Sequence, residues 1–298
     1  MRNSDSDDYK CPSLARMNEM ATSVRPIDRT VNANGMNLHY LDWGTVGKPK
    51  VLLLHGLRGH SHSWDDVSAE FYKDYHIFAL DQRGRGESQW APGGDYSSES
   101  FVADLEGFCH EVGLGKFILV GHSMGGRNAM AFAGRNAEKL EKMVIIDIGP
   151  DLNPIGSGRI TQELKDVPEE FESFEDVVAY QSKQNRFCSD PILRRRLAYA
   201  TKQLPNGKFA WRYDLEVREQ RRNGTGAKQP NLWLTLPKIK CPVMIVRGSE
   251  TDTLGLDTAE RMVNELTDGL LVHLDCAANM VFEDNQKGFI RVMHDFLD

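Results

Sequence analysis

The chain contains no long apolar run, and its longest uninterrupted hydrophobic stretches span only a few residues. A helix that crosses a bilayer needs about 20 consecutive apolar residues, so we expect no membrane span. The N-terminal stretch is polar and lacks the apolar segment of a secretion signal. We expect residues 1–25 to form a flexible leader ahead of the folded core.

Cysteine is scarce, with five residues scattered along the 298 positions. An odd number without paired spacing argues against both a disulfide framework and a metal site. We therefore expect a cytoplasmic protein with reduced thiols and no metal. We also expect no cofactor.

Positive charge is not in excess. The 36 Lys and Arg residues face 43 Asp and Glu residues, which gives a net charge of −7 at pH 7. Such a balance creates no global field that attracts nucleic acid or an anionic membrane. We expect a small-molecule partner and no nucleic-acid partner, and the composition does not indicate an oligomeric state.

Short apolar runs that alternate with helical patterns are the main organising feature of the chain. Continuous apolar runs of this length are typical of parallel strands buried on both faces. We predict strands at 51–54, 77–80, 117–120, 143–146, 243–246 and 270–274, after a hairpin with an Asn34-Gly35 turn. The alternation predicts an α/β fold with a mostly parallel central sheet and helices on both faces.

The strand pattern disappears between residues 151 and 236, where charge is high and helical patterns dominate. We expect a helical lid at 151–236 inserted into a core made of 26–150 and 237–298. Inserted segments of this kind vary between proteins and often carry the residues that select the substrate. We consider Trp211 and Trp233 candidate substrate-binding residues, although such aromatics can equally pack the interior of the lid.

The most informative motif is Gly121-His122-Ser123-Met124-Gly125, which lies between a predicted strand and a predicted helix. A Gly-x-Ser-x-Gly turn in that context is the nucleophile elbow, in which a strained turn exposes the serine at the strand tip. Ser123 is therefore the predicted nucleophile.

Three further segments accompany the elbow in order: His-Gly-Leu-Arg-Gly at 55–59, Asp-Gln-Arg-Gly-Arg-Gly-Glu-Ser at 81–88, and Arg-Gly-Ser-Glu-Thr-Asp at 247–252. Together they resemble the α/β-hydrolase superfamily, in its serine-nucleophile, esterase- and lipase-like branch. The resemblance implies a Ser123 acyl-enzyme and an oxyanion hole made by the N–H groups of Leu57 and Met124. It also implies that His55 and His122 are structural.

Two aspartates compete for the role of the orienting acid. Asp252 follows the strand after the lid, where the resemblance implies this residue, and we prefer it. Asp147, at the end of the 143–146 strand, is the alternative because some branches take their acid from that strand; Glu250 ranks third.

The histidine base is missing from the place where the resemblance implies it. In the loop after the last strand, the equivalent position is Asn279. His273 within the strand and His294 within the last helix are the other C-terminal histidines, and neither is a natural substitute. Asparagine offers hydrogen bonds but cannot take a proton at neutral pH, so we expect impaired turnover.

Two explanations for Asn279 stay open. One is a deliberate His-to-Asn change that traps a ligand in an otherwise complete hydrolase of carboxylic esters or related acyl compounds. The other is a natural departure, either a non-catalytic ligand-binding protein or C–C bond hydrolase or lyase chemistry on the same fold.

Overall fold

A computed structural model describes residues 25–226 and 229–298, so the predicted leader at 1–25 lies almost entirely outside the described residues. The strands are β1 (Ile27–Ala33), β2 (Met36–Trp43), β3 (Lys50–Leu54), β4 (His76–Leu80), β5 (Phe117–His122), β6 (Leu140–Ile146), β7 (Glu170–Phe171), β8 (Thr201–Gln203), β9 (Phe209–Trp211), β10 (Val243–Gly248) and β11 (Gly269–Leu274).

The helices are α1 (Asp65–Phe71), α2 (Ser98–Glu111), α3 (Met124–Asn136), α4 (Pro154–Asp166), α5 (Phe174–Ser182), α6 (Asp190–Ala200), α7 (Leu215–Asn223), α8 (Leu256–Glu265), α9 (Val281–Asp284) and α10 (Gln286–Leu297).

Eight strands form the central sheet in the order β1-β2-β4-β3-β5-β6-β10-β11. The first two pairings, β1 with β2 and β2 with β4, are antiparallel, and the remaining five are parallel. The predicted turn at Asn34-Gly35 joins β1 to β2, and both residues have positive φ angles of 53° and 73°, as a two-residue hairpin turn requires. The predicted α/β fold with a mostly parallel sheet is confirmed.

Alternate residues of each strand enter different cores, because successive side chains point to opposite faces of a sheet. In β3, Leu52 and Leu54 pack in a cluster with α2, α3 and α8. Val51 and Leu53 pack in the other cluster, with α1, α9 and α10. The continuous apolar runs of the sequence thus reflect burial on both faces of the sheet.

The segment between β6 and β10 differs from the purely helical prediction. Besides α4 to α7, it contains a three-stranded sheet in the order β7-β9-β8. These strands are only two or three residues long and partly exposed, so they carry too little apolar periodicity to be recognised. The segment has its own small core, which includes Phe171, Trp211 and Tyr213.

Close backbone packing joins β3, β5 and α3 at the carboxyl edge of the sheet. A Cβ added at Gly125 would overlap the carbonyl oxygen of Leu54, and one added at Gly121 would lie 2.6 Å from the carbonyl oxygen of Gly125. Both contacts are with backbone, which cannot move without shifting a whole strand or helix. The two glycines of the motif therefore allow three elements to converge where Ser123 lies.

We expect Gly125→Ala to lower the free energy of unfolding by ~2 kcal/mol or more, because the new methyl group overpacks against a strand backbone. Gly158→Ala is the matched control, since Gly158 lies exposed in α4 and a Cβ there meets nothing within 4 Å. There the change should be neutral or stabilising by up to about 1 kcal/mol. Urea unfolding of both variants tests this, and equal stabilities would contradict it.

Candidate active site

Ser123 connects β5 to α3 in a strained conformation. Its φ and ψ angles are 50° and −115°, a region that residues other than glycine seldom adopt. The Ser123 amide donates to the carbonyl oxygen of Ile146, at 3.0 Å, which anchors the turn to β6. The strain sits where a nucleophile elbow requires it.

The loop after β3 lies against Ser123. An added Cβ at Gly56 would be 3.3 Å from the Cβ of Ser123 and 2.8 Å from Nδ1 of His122, so only glycine fits. Leu57 and Met124, whose amides are the predicted oxyanion donors, border the same cavity as Ser123. Nε of Arg85 donates to the carbonyl oxygen of Leu57, at 3.3 Å, and helps to hold this loop.

The two histidines beside the elbow are held by backbone contacts. Nδ1 of His55 donates to the carbonyl oxygen of Gly56, at 2.7 Å, and Nε2 accepts from the Gln82 amide, at 3.0 Å. Nε2 of His122 donates to the carbonyl oxygen of Asn279, at 2.9 Å. Burial lowers the pKa of both imidazoles to about 4, which suits neutral structural groups.

Asn279 lies beside Asp147. Its Nδ2 donates to Oδ2 of Asp147, at 2.9 Å, and to the Asp147 carbonyl oxygen, at 3.2 Å. The loop that carries Asn279 crosses directly over Gly248, where a Cβ would overlap the carbonyl oxygens of Ala277 and Ala278. The position of Asn279 is therefore fixed both by this crossing and by the bond from His122.

Asp147 is completely buried immediately after β6, with a φ angle of 49°. Besides Asn279, its carboxylate accepts from the Thr251 hydroxyl, at 2.5 Å, and from the Gly248 amide, at 3.3 Å. Burial raises the pKa of Asp147 to about 6, and these hydrogen bonds oppose the shift. Thr251 was not singled out from the sequence, since a single hydroxyl in a turn gives no distinctive signal.

Asp252, preferred from the sequence, has a different environment. Both of its carboxylate oxygens accept from Arg159 of α4, at 2.6 and 2.8 Å, and this hydrogen bond lowers the pKa of Asp252. The structure brings Asp147 to Asn279 and commits Asp252 to an ion pair with the inserted segment. Asp147 follows β6 and Asp252 follows β10, and the ends of these two strands meet at the same edge of the sheet. Position in the sequence therefore did not distinguish the two aspartates.

A cavity of about 810 Å³ opens above Ser123, between the sheet edge and the inserted segment. Its walls include Ser123, Asn279 and Trp211. Trp233 lies elsewhere, with its indole N–H donating to Asp151, at 2.8 Å, and Arg261 stacked on its ring. Of the two tryptophans predicted to contact substrate, only Trp211 borders the cavity above Ser123.

The sequence profile of the family described as "alpha/beta hydrolase fold" matches residues 49–286. The chain belongs to this family. A 3-hydroxybutyrate-oligomer hydrolase of Cupriavidus necator is 30% identical over 236 residues, covering 75% of this chain and 80% of that protein. An esterase of Mycobacterium tuberculosis is 26% identical over 292 residues, which cover 96% of this chain and 94% of that protein.

Among solved structures, E-2-(acetamidomethylene)succinate hydrolase superposes on this α/β-hydrolase with a TM-score of 0.83. It is 22% identical and the match covers 92% of this chain and 99% of that one, so the likeness concerns the fold. Both of these curated relatives are hydrolases, and at that level this chain is a hydrolase of the α/β fold.

Neither C-terminal histidine of this α/β-hydrolase is at the site. His273 is exposed on β11, at the end of the sheet order. His294 lies against α1, with its Nε2 3.3 Å from a carboxylate oxygen of Glu70. The assignment of both as structural residues stays a prediction.

Two broader expectations concern the described part of the chain. Among residues 25–226 and 229–298, no group of three or more His, Cys, Asp or Glu side chains is placed to hold a metal ion. No helix within those ranges is both long and apolar enough to cross a membrane.

A second buried carboxylate, which the sequence analysis did not single out, lies near Asn279. Asp284 of α9 accepts from the Ala278 amide, at 2.9 Å, and is only 7% exposed. Burial first, and repulsion from Glu283 as well, raise the pKa of Asp284 to about 7. Since a folded-state pKa above the unfolded value means that the native state binds more protons, the stability due to this group falls as pH rises from about 4 to 7.

We expect Asp284→Asn to become progressively more stable than the parent chain as pH rises, by ~3 kcal/mol between pH 4 and pH 8. The asparagine oxygen can still accept from Ala278, while the cost of a buried charge disappears. The exposed Asp295→Asn is the matched control. Urea unfolding across this pH range tests the difference, and a pH-independent gap would contradict it.

Proposed function

We propose that this α/β-hydrolase has the machinery of a serine hydrolase for carboxylic esters or related acyl compounds, with position 279 as the site of the base. Ser123 is the nucleophile, Asp147 the orienting acid, and the Leu57 and Met124 amides the oxyanion donors. Asn279 occupies the base position and makes turnover slow in the chain as it stands.

The observation that carries this proposal is the hydrogen bond from Asn279 Nδ2 to Asp147 Oδ2, at 2.9 Å. In a catalytic triad, a histidine donates one ring N–H to a buried carboxylate and leaves the other nitrogen to face the serine. Asn279 borders the same cavity as Ser123 and makes the carboxylate half of that arrangement. Asp147 is buried and bonded by three donors, which suits an acid that holds a base in place.

The reaction would proceed through an acyl-enzyme. Ser123 Oγ attacks the acyl carbonyl carbon as its proton passes to the base, and the carbonyl oxygen becomes an oxyanion held by two backbone amides. The base returns the proton to the departing alcohol. Water then attacks the acyl-enzyme by the same steps and releases the carboxylic acid and free Ser123.

Asparagine leaves the serine proton without an acceptor. In serine hydrolases, loss of the histidine lowers turnover by roughly a millionfold, while the oxyanion hole and binding retain about a thousandfold over water. Hydrolase relatives that include an esterase support the ester assignment. The strained elbow at Ser123 supports it further, because strain of this kind persists only where the surrounding structure enforces it.

Restoring the base is the direct test. We expect Asn279→His to raise the rate of p-nitrophenyl ester hydrolysis by about 10³-fold or more, because the missing proton acceptor is supplied. The gain must vanish in Asn279→His/Ser123→Ala, which separates Ser123 chemistry from hydrolysis by a stray histidine. No gain in a variant that folds normally would overturn the proposal.

The choice of acid has its own test. In the Asn279→His background, we expect Asp147→Asn to lower kcat by about 10⁴-fold, because the imidazole loses the partner that fixes its tautomer. Asp252→Asn should cost less than about tenfold, since its partner is Arg159. If steady-state kinetics showed a larger loss of kcat for Asp252→Asn than for Asp147→Asn, Asp252 would be the orienting acid.

A second function follows from Asn279 itself. A chain that keeps the elbow and cavity but lacks a base would bind an acyl compound without consuming it. Stable binding by the chain as it stands, together with no gain in Asn279→His, would favour this ligand-binding function.

A further inference from the structure

The cavity above Ser123 is cationic, although the protein as a whole is acidic, with a net charge of −7. Several arginines at its walls are neutralised by carboxylates. Arg58 and Arg159 share Glu163, and Arg159 also pairs with Asp252. Arg196 pairs with Glu283 at 3.1 Å.

Three other arginines that border this cavity, Arg85, Arg127 and Arg221, make no ion pair with any carboxylate of the described residues. Their hydrogen bonds go to neutral oxygens instead. A cation withdrawn from water without a counter-ion is costly. Three of them around one cavity indicate that an anion belongs there.

Arg127 lies one helical turn beyond the nucleophile, and its amide donates to the carbonyl oxygen of Ser123, at 3.1 Å. Nη1 of its guanidinium donates to the carbonyl oxygens of Gly149 and Pro150, both at 2.9 Å. Asp151 acts on Arg127 through its charge, but its carboxylate accepts from the indole of Trp233. Arg127 is thus fixed at Nη1, and no other residue in the described part of the chain hydrogen-bonds to its Nε or Nη2.

Arg221 approaches from α7 of the inserted segment. Its Nε and Nη2 lie 3.3 and 3.5 Å from the hydroxyl oxygens of Thr161 and Ser157 in α4, which are long contacts with neutral groups. Desolvation lowers the pKa of Arg221, and the charge of Arg221 contributes to lowering the pKa of Arg127. The two guanidinium groups therefore repel one another across the cavity.

Arg85 strengthens the same field from the loop after β4. Its side chain is 1% exposed, and its guanidinium carbon lies 5.1 Å and 5.5 Å from the ring centres of Tyr96 and Phe101. Burial lowers the pKa of this guanidinium to about 10, so it stays charged at neutral pH. It supplies long-range positive potential while its nitrogens hold the oxyanion loop.

We propose that the cavity recognises acyl compounds that carry a free carboxylate, and that Arg127 and Arg221 bind this carboxylate while the ester or amide bond lies at Ser123. The part of this proposal that places the ester or amide bond at Ser123 rests on the proposed acyl hydrolysis. The part that concerns carboxylate binding depends only on Arg127 and Arg221.

The geometry favours a carboxylate over other anions. A guanidinium edge with two parallel N–H donors matches the two oxygens of a carboxylate, and Arg127 offers one such edge because, among residues 25–226 and 229–298, its hydrogen bonds use only Nη1. A carboxylate between Arg127 and Arg221 also removes their mutual repulsion. A phosphate shares the charge, so inorganic phosphate serves as the competing probe.

The first experiment measures binding to the chain as it stands, where Asn279 suppresses turnover. Isothermal titration compares monomethyl glutarate with methyl pentanoate, which has a methyl group in place of the carboxylate. We expect the anionic ester to bind at least tenfold more tightly. Equal or weaker binding of monomethyl glutarate, or stronger binding of inorganic phosphate, would overturn the proposal.

The second experiment locates the subsite. Arg127→Gln and Arg221→Gln should each lower the affinity for monomethyl glutarate about tenfold and leave methyl pentanoate unchanged. Arg222→Gln is the matched control, because this neighbour of Arg221 on α7 pairs with Glu219 at 3.0 Å. Retained anion preference in both test variants would overturn the assignment.

Kinetics in the Asn279→His background separate this inference from the proposed function. The mono-p-nitrophenyl ester of glutarate should exceed p-nitrophenyl pentanoate in kcat/KM by at least tenfold. Hydrolysis of both esters without preference would overturn the carboxylate subsite and leave the hydrolase intact. Anion-selective binding without hydrolysis of either ester would overturn the proposed hydrolase function and leave the carboxylate subsite intact.

Discussion

The site depends on the close backbone approach of β3, β5 and α3 around Ser123. Gly121 and Gly125 let the elbow turn within contact of the Leu54 carbonyl, and Gly56 lets the neighbouring loop cross His122. The contacts of Gly121 and Gly125 are with backbone atoms, and that of Gly56 is with the His122 ring, so together they hold Ser123 and the amides beside it in place. The strained φ angle of Ser123 is sustained by this surrounding packing.

A second constraint fixes the opposite side of the site. The loop that carries Asn279 is held by the crossing at Gly248, by His122 and by Asp284. In the proposed function, this support would orient a histidine at position 279 as well as it orients asparagine. Burial lowers the pKa of His55 and His122, which agrees with the structural role that the proposal gives them.

The charge of the cavity adds a property that the overall composition hides. An acidic chain surrounds a pocket whose arginines outnumber their carboxylate partners. A cleft of low dielectric constant can therefore select an anionic substrate through its own arginines, even though the whole protein carries a net negative charge. The inserted segment contributes Arg221 and α3 of the core contributes Arg127, so the pocket needs both parts of the chain.

By itself, the sequence determined the α/β fold and the strands of the central sheet, and it predicted the elbow at Ser123 and the departure at Asn279. These follow from local apolar periodicity and from motifs whose glycines are spaced for one turn geometry. The acid was not determined, because Asp147 and Asp252 both follow strands whose ends meet at one edge. Their partners, Asn279 for one and Arg159 for the other, lie 132 and 93 residues away.

The short strands of the inserted segment, the place of Trp233 outside the cavity and the unneutralised arginines were likewise decided by tertiary structure. Each depends on which distant side chain lies opposite, and local patterning does not encode that information.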